Sequence, residues 1–397
     1  MPLEFSNVAA QIEYMAAQAG VDGEERRGRL ARALRLYAEA DADALSARIA
    51  SCSTPWPVAG IAHGFSRKHD PPSCPRDFTV LAADGSHIEV DRHSSLRCYL
   101  INIGKVALHY GESPDAQIES EARIYFGDDL ALTDPASGRV ELIEGPLLGV
   151  KRAVAECAAL ADAAAAQPPD RTVLAMADGS LVLWGLSPRD YEGFIREELL
   201  DKDYLDAFDS MKRRSDAGRF ALCACTSFPR NAEVVNALRV HVCGCEPVDC
   251  ERCRAGERGR ECDELNGITD IAVFDAVLDP GQRSDVYHSG SKYVQKYYRE
   301  HQVYFFYLKA EEEVLRVEVP QWVAERDDLV GLTHALALDQ CRRGMGYPAA
   351  LMEAHERAVV TAADREAFRL LVERAMVDKG IDMQTSGKSR SKRTRWV

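Results

Sequence analysis

The chain has 397 residues, of which 46% are apolar and 28% charged, enough to bury a large core in one elaborated domain or two ordinary ones. A formal charge of −14 excludes a passive basic coat for nucleic acid, but not an enzyme that brings phosphate in through carboxylate-bound cations. No apolar run reaches the roughly 18 residues a membrane span needs, and the N-terminus lacks the basic-then-apolar order of an export signal, so a cytoplasmic protein without a membrane partner is expected.

Residues 1–50 read as a helical N-terminal segment, with apolar positions at helical spacing through Val8, Ile12 and Met15, then Leu30, Leu34 and Tyr37. Pro55, Pro57, Pro71, Pro72 and Pro75 make 51–76 a loop or linker. A buried strand follows from Phe78 to Ala83, closed by Asp84-Gly85-Ser86. One or two strands are expected over 96–109, another over 121–126, and a helix over 146–166. A second apolar strand, Thr172 to Ala177, is again closed by an Asp-Gly-Ser triplet, Asp178 to Ser180. A charged amphipathic helix over 189–214, a strand over 221–226 and a helix over 232–240 come next. Strands at 303–308 and 314–319 should meet at a turn around Glu311 and Glu312, and helices fill most of 326–379. This order favours an α/β fold, a mixed sheet flanked by helices.

The two triplets carry the chemistry. Each aspartate ends an apolar strand, where open α/β sheets place ligands, and each is followed by a glycine that lets the chain turn and a phosphate approach. Two such carboxylates on adjacent strands can hold divalent metal, and oxygen-only ligation suits Mg²⁺ or Mn²⁺. Asp-Gly after a strand is also ordinary turn punctuation; the matched pair is what favours a site. Glu156, on the helix before the second triplet, is either a solvated glutamate or a third ligand. His355, flanked by Glu353 and Glu356, is either part of a surface cluster or a ligand or proton shuttle.

Cys243, Cys245, Cys250, Cys253 and Cys262 fall within twenty polar residues. That spacing permits a structural four-thiolate Zn²⁺ site with one thiol spare, or an iron–sulfur cluster; metal-free reduced thiols are the alternative. The remaining cysteines look like scattered core residues. Lys388, Arg390, Lys392 and Arg393 form a basic C-terminal tail, 387–397, that can contact DNA phosphate or merely solubilise the end.

Four collinear blocks resemble the NurA nuclease family: Leu81 to Ser86, Ala177 to Trp184, Arg316 to Trp322, and Gly346 to His355. The segment Phe228 to Arg239 and the basic tail look similar to its bacterial branch. The resemblance implies an RNase H-like fold over 77–386, with the cysteine segment 243–262 as an insertion. It also implies Mn²⁺-dependent 5′-to-3′ exonuclease and single-strand endonuclease action in DNA end resection, by a homodimer docked on a HerA-type hexameric ATPase. Carried over by position, Asp84, Glu156 and Asp178 would bind metal, and His355 would complete the shell or move a proton; Glu141 and Glu144 compete with Glu156 for its place. Two other readings are an actin-like or sugar-kinase-like ATP-dependent phosphotransferase and a catalytically inactive repair adaptor.

Overall fold

The structure is a computed structural model that describes residues 5–89, 97–187, 191–254 and 260–380. The chain packs as two units, one formed by Met1–Pro71 with Thr226–Glu318, the other by Pro72–Cys225 with Val319–Val397.

The second unit is built on a mixed sheet. Strands β1 (Phe78–Ile88), β2 (Cys98–Tyr110) and β3 (Asp115–Phe126) form an antiparallel meander in which Asp84 lies opposite Gly104. Helix α1 (Pro146–Ala165) then crosses over to β4 (Val173–Asp178), which pairs parallel with β1 from Thr79↔Val173 to Ala83↔Ala177. A second crossover, ending in helix α2 (Leu205–Ala217), leads to β5 (Phe220–Thr226), parallel to β4. The strand order is β5-β4-β1-β2-β3. Three antiparallel strands followed by two parallel ones, joined through helices, make the expected RNase H-like α/β arrangement.

The sequence explains the layering. The parallel strands are almost wholly buried because helices cover both faces, so they read as unbroken apolar runs. Helix α1 starts with Pro146 in its first turn and buries Leu147, Leu148, Val150, Val154, Cys157 and Leu160 on one stripe. Helices α3 (Asp327–Arg343) and α4 (Ala349–Ala358) follow, and α4 packs on β1 and β2. Two glycines show which helix takes which face. A Cβ on Gly85 would lie 2.6 Å from Glu156 Oε1 of α1, whereas one on Gly104 would lie 2.3 Å from the Ala354 carbonyl of α4. Gly104 shares its face with its partner Asp84, and successive strand residues alternate, so α1 and α4 cover opposite faces.

In the first unit a long helix, Phe5–Glu39, and a second, Ala42–Ala50, supply the expected N-terminal helical extension. Ala33 and Tyr37 are buried, while Ile12 and Met15 are exposed. Tyr37, Phe65, Phe274, Tyr287, Phe305 and Tyr307 form an aromatic core. The proline-rich stretch expected as loop carries two short strands, Gly60–Ile61 and Lys68–His69, which pair with Tyr287–His288 and Arg283–Ser284. Buried Val58, Ala59 and Phe65 anchor it, a signal that the surrounding prolines mask. Strands Val303–Ala310 and Glu313–Pro320 flank the expected turn, with Glu311 at φ 53°.

Arg316, from the third family-like block, is fully buried in this unit. Its guanidinium lies 2.9 Å from both Glu233 and Glu318 and 3.6 Å from the Phe305 ring centroid. Glu233 also accepts hydrogen bonds from Ser289 Oγ and the Gly290 N–H. Arg316 and Glu318 of this block therefore form, with Glu233, a buried ion network within the first unit.

Candidate active site

The register carries Asp84 and Asp178 one step beyond the last β1–β4 pair, Ala83↔Ala177, so the aspartates sit side by side on adjacent parallel strands. Such strands lie about 4.8 Å apart. The two triplets nevertheless differ. Asp178 ends β4, and Gly179 turns the chain at φ 83°, as the sequence suggests. Asp84 lies inside β1, which runs on to Ile88; Gly85 is needed there for clearance rather than for turning, because any side chain would strike Glu156.

Glu156 comes from the α1 face through the gap that Gly85 leaves. Its side chain is 17% exposed, and its carboxyl is pushed up to about 8, chiefly by burial and further by the negative charges of Asp84 and Asp178. Arg152, one helical turn earlier, opposes that rise; its Nε lies 3.0 Å from Oε1. The pair is not aligned as a hydrogen bond, and Glu156 Oε1 is a buried acceptor with no hydrogen-bond partner. A buried glutamate whose charged form is disfavoured beside two aspartates, with an orphaned oxygen, suits a bound divalent cation.

Each aspartate is oriented by a residue from the C-terminal helical region. His355 Nδ1 lies 2.8 Å from Asp84 Oδ2, and Asp84 Oδ1 accepts the Gly85 N–H at 2.8 Å. Facing a carboxylate oxygen, Nδ1 is the donor in this contact, and Nε2 is left outside it. The Tyr347 hydroxyl donates to Asp178 Oδ1. Burial and the Asp178 charge hold Tyr347 well above the usual phenol range, so it stays a donor. Tyr347 follows Gly346, whose φ of 113° is the turn that delivers the ring.

Helix α4 can carry His355 to the sheet because Gly104 has no side chain. Its C-terminal carbonyls are tied down there: Asn102 Nδ2 donates to Arg357 O at 3.1 Å and Ala358 O at 3.0 Å, and Ser86 Oγ donates to Ala358 O. Asn102 and Ser86 are cross-strand partners, so one pair of residues anchors the helix to β1 and β2 together.

A sequence model of the NurA domain matches residues 78–360, from the first residue of β1 to just past α4. The chain belongs to the NurA family. This is a nuclease family, so the phosphotransferase reading falls away and the NurA-type strands, α1 and α4 are the ones that bring Asp84, Glu156, Asp178 and His355 into one neighbourhood. No curated relative matches the sequence. Among solved structures, "LC9-RNase H1, a type 1 RNase H with the type 2 active-site motif" shares 9% identity and a TM-score of 0.22, over 48% of this chain and 78% of that one. That likeness is too slight to carry chemistry across.

Tyr347 and Arg152 are site neighbours that the sequence reading missed. Tyr347 stands within the Gly346 to His355 block, where only the histidine drew attention; Arg152 was legible as the i−4 partner of Glu156. The basic residues Lys388, Arg390, Lys392 and Arg393 lie outside the described residues. Among the described residues no helix is long and apolar enough to cross a membrane.

Proposed function

We propose that this NurA-family chain is a divalent-metal-dependent deoxyribonuclease whose metal ligands are Asp84, Glu156 and Asp178. The observation that carries the reading is the side-by-side register of the two aspartates, with Glu156 coupled electrostatically to both and holding an unpartnered buried oxygen. Mn²⁺ or Mg²⁺ at these oxygens would supply an activated water and charge stabilisation for the leaving oxygen.

The protein's own groups hold the substrate and the ligands. His355 and the Gly85 N–H fix the Asp84 carboxylate, Tyr347 fixes that of Asp178, and Gly85 admits Glu156. Because Nδ1 of His355 is engaged by Asp84, its Nε2 is the nitrogen left to move a proton or to complete the metal shell. Arg152 and Arg365 line a cavity of about 450 Å³ with Ser86, His87 and Glu89, and their guanidinium groups suit a DNA phosphate. The basic tail adds a sequence-independent contact with the backbone.

Family membership supports the finer reading: 5′-to-3′ exonuclease and single-strand endonuclease action in end resection, as a cytoplasmic homodimer with a HerA-type hexameric ATPase. The test is cleavage of end-labelled single- and double-stranded DNA with Mn²⁺, Mg²⁺ or EDTA, comparing wild type with Asp84→Asn and Asp178→Asn. Metal-dependent cleavage disappears in both variants. Cleavage that survives EDTA, or either substitution, overturns the assignment; intact protein that never cleaves DNA favours an inactive adaptor.

A further inference from the structure

The nuclease site makes no use of the five cysteines between Cys243 and Cys262, which the first unit brings near one another, although no three of their sulfurs lie within 4.8 Å of each other. The Cys245 thiol is close enough to those of Cys243 and Cys253 to interact with both. Cys250 is within electrostatic reach of Cys243, Cys253 and Cys262. All five are half-buried and none forms a disulfide.

The backbone that presents them is held at several independent points. Helix Glu233–His241 ends just before Cys243, whose N–H bonds to Val240 O at 3.3 Å and whose carbonyl accepts from Arg48 Nη2 at 2.5 Å. The Cys250 N–H bonds to Ser53 O at 3.0 Å, opening the short helix Cys250–Arg254. Asp249 caps that turn by accepting from the N–H groups of Glu251 and Arg252. Arg239 donates to Cys262 O at 3.2 Å and lies over the Trp56 ring at 4.5 Å, so it ties the segment to the helix that precedes it.

Apolar packing does not account for this order. Between Cys243 and Leu265 the buried apolar side chains among the described residues are Val248 and Leu265. Most other residues there are charged or glycine, and they cannot bury enough apolar surface to offset the entropy of ordering the loop. A polar loop with several neighbouring thiols is a setting in which a structural metal, by drawing the sulfurs together, supplies the missing free energy.

We propose that Cys243, Cys245, Cys250 and Cys253 form a structural tetrathiolate Zn²⁺ site in the first unit, independent of the nuclease carboxylates, with Cys262 as the spare thiol. The spacing is Cys-x-Cys, four intervening residues, then Cys-x-x-Cys, and the two ends are joined by the thiol contacts of Cys245. Zinc is favoured over a redox cluster because the role required is cross-linking, which a closed four-sulfur tetrahedron performs without electron transfer.

The test measures metal in the full chain, purified under reducing conditions without chelator from zinc-supplemented cells. Elemental analysis gives about one zinc per chain, and X-ray absorption gives four sulfur neighbours at about 2.3 Å. Zinc shields the four cysteines from alkylation, as read by mass spectrometry, until a strong chelator removes it; this measurement needs no variant. Cys250→Ser with Cys253→Ser lowers zinc content at least tenfold, whereas Cys262→Ser and the distant Cys74→Ser retain it. Wild-type protein without zinc, or with iron and acid-labile sulfide instead, overturns the proposal. Loss of zinc in Cys262→Ser with retention in Cys245→Ser overturns the ligand set. None of these readouts depends on DNA cleavage, so the two proposals can fail separately.

Discussion

Replacing Glu156 by Gln should make the metal-free protein more stable and the metal-loaded protein less responsive. The wild-type carboxyl is raised from 4.5 to about 8, mainly by burial, which corresponds to about 5 kcal/mol between its charged and neutral forms. Below pH 4.5 both folded and unfolded chains hold the proton, and this group imposes no pH dependence. Between pH 4.5 and about 8 the unfolded chain releases the proton while the folded one keeps it, so stability falls as pH rises. Above about pH 8 the loss is complete. Glutamine mimics the protonated form and has no such slope. In EDTA the variant should therefore gain on the wild type by about 3 kcal/mol from pH 4 to pH 7, and about 5 kcal/mol by pH 9. Loss of the Arg152 contact offsets only a fraction, because Arg152 is 35% exposed. Saturating Mn²⁺ narrows the margin: at 100 times its dissociation constant it adds about 2.7 kcal/mol to the wild type, and much less to the variant. Denaturant titrations of both proteins from pH 4 to pH 9, with EDTA and with Mn²⁺, read all of this directly. A margin in EDTA that stays flat across that range, or shrinks as pH rises, would refute the reasoning.

Tyr347→Phe removes the hydroxyl that orients Asp178 and should weaken Mn²⁺ binding about 10- to 100-fold while the fold stays intact, as calorimetry would show. Gly104→Ala puts a methyl group against the Ala354 carbonyl, so α4 must lift; stability should drop by about 1–3 kcal/mol, and cleavage should fall because His355 leaves Asp84. Arg316→Met leaves Glu233 and Glu318 buried without their cation and should cost about 3–5 kcal/mol, measured by thermal unfolding.

The sequence made the strands and the paired aspartates readable because the parallel strands are continuous apolar runs punctuated by Asp-Gly, a pattern that burial on both faces imposes. It also located α1 and placed His355 on a helix near the C-terminus. Other features depend on contacts distant in sequence. That Gly85 clears a path for Glu156 follows only once α1 is laid on β1, and that Gly104 admits α4 only once residue 354 is seen above it. Tyr347 reads as one more aromatic until a positive-φ glycine aims it at residue 178. Likewise, the short strands at 60–61 and 68–69 have too few residues for a periodicity and exist through partners more than 200 positions away.

The site is assembled from widely scattered stretches: two acids on neighbouring strands, a third on the helix between them, and a tyrosine and histidine contributed much later in the chain. A fragment cut off before residue 347, whether by a protease or by interrupted synthesis, keeps every carboxylate yet loses both groups that aim them. Cutting power of the kind proposed would thus be withheld until synthesis has passed α4, and a single nick between β5 and α4 followed by loss of the distal piece would disarm it.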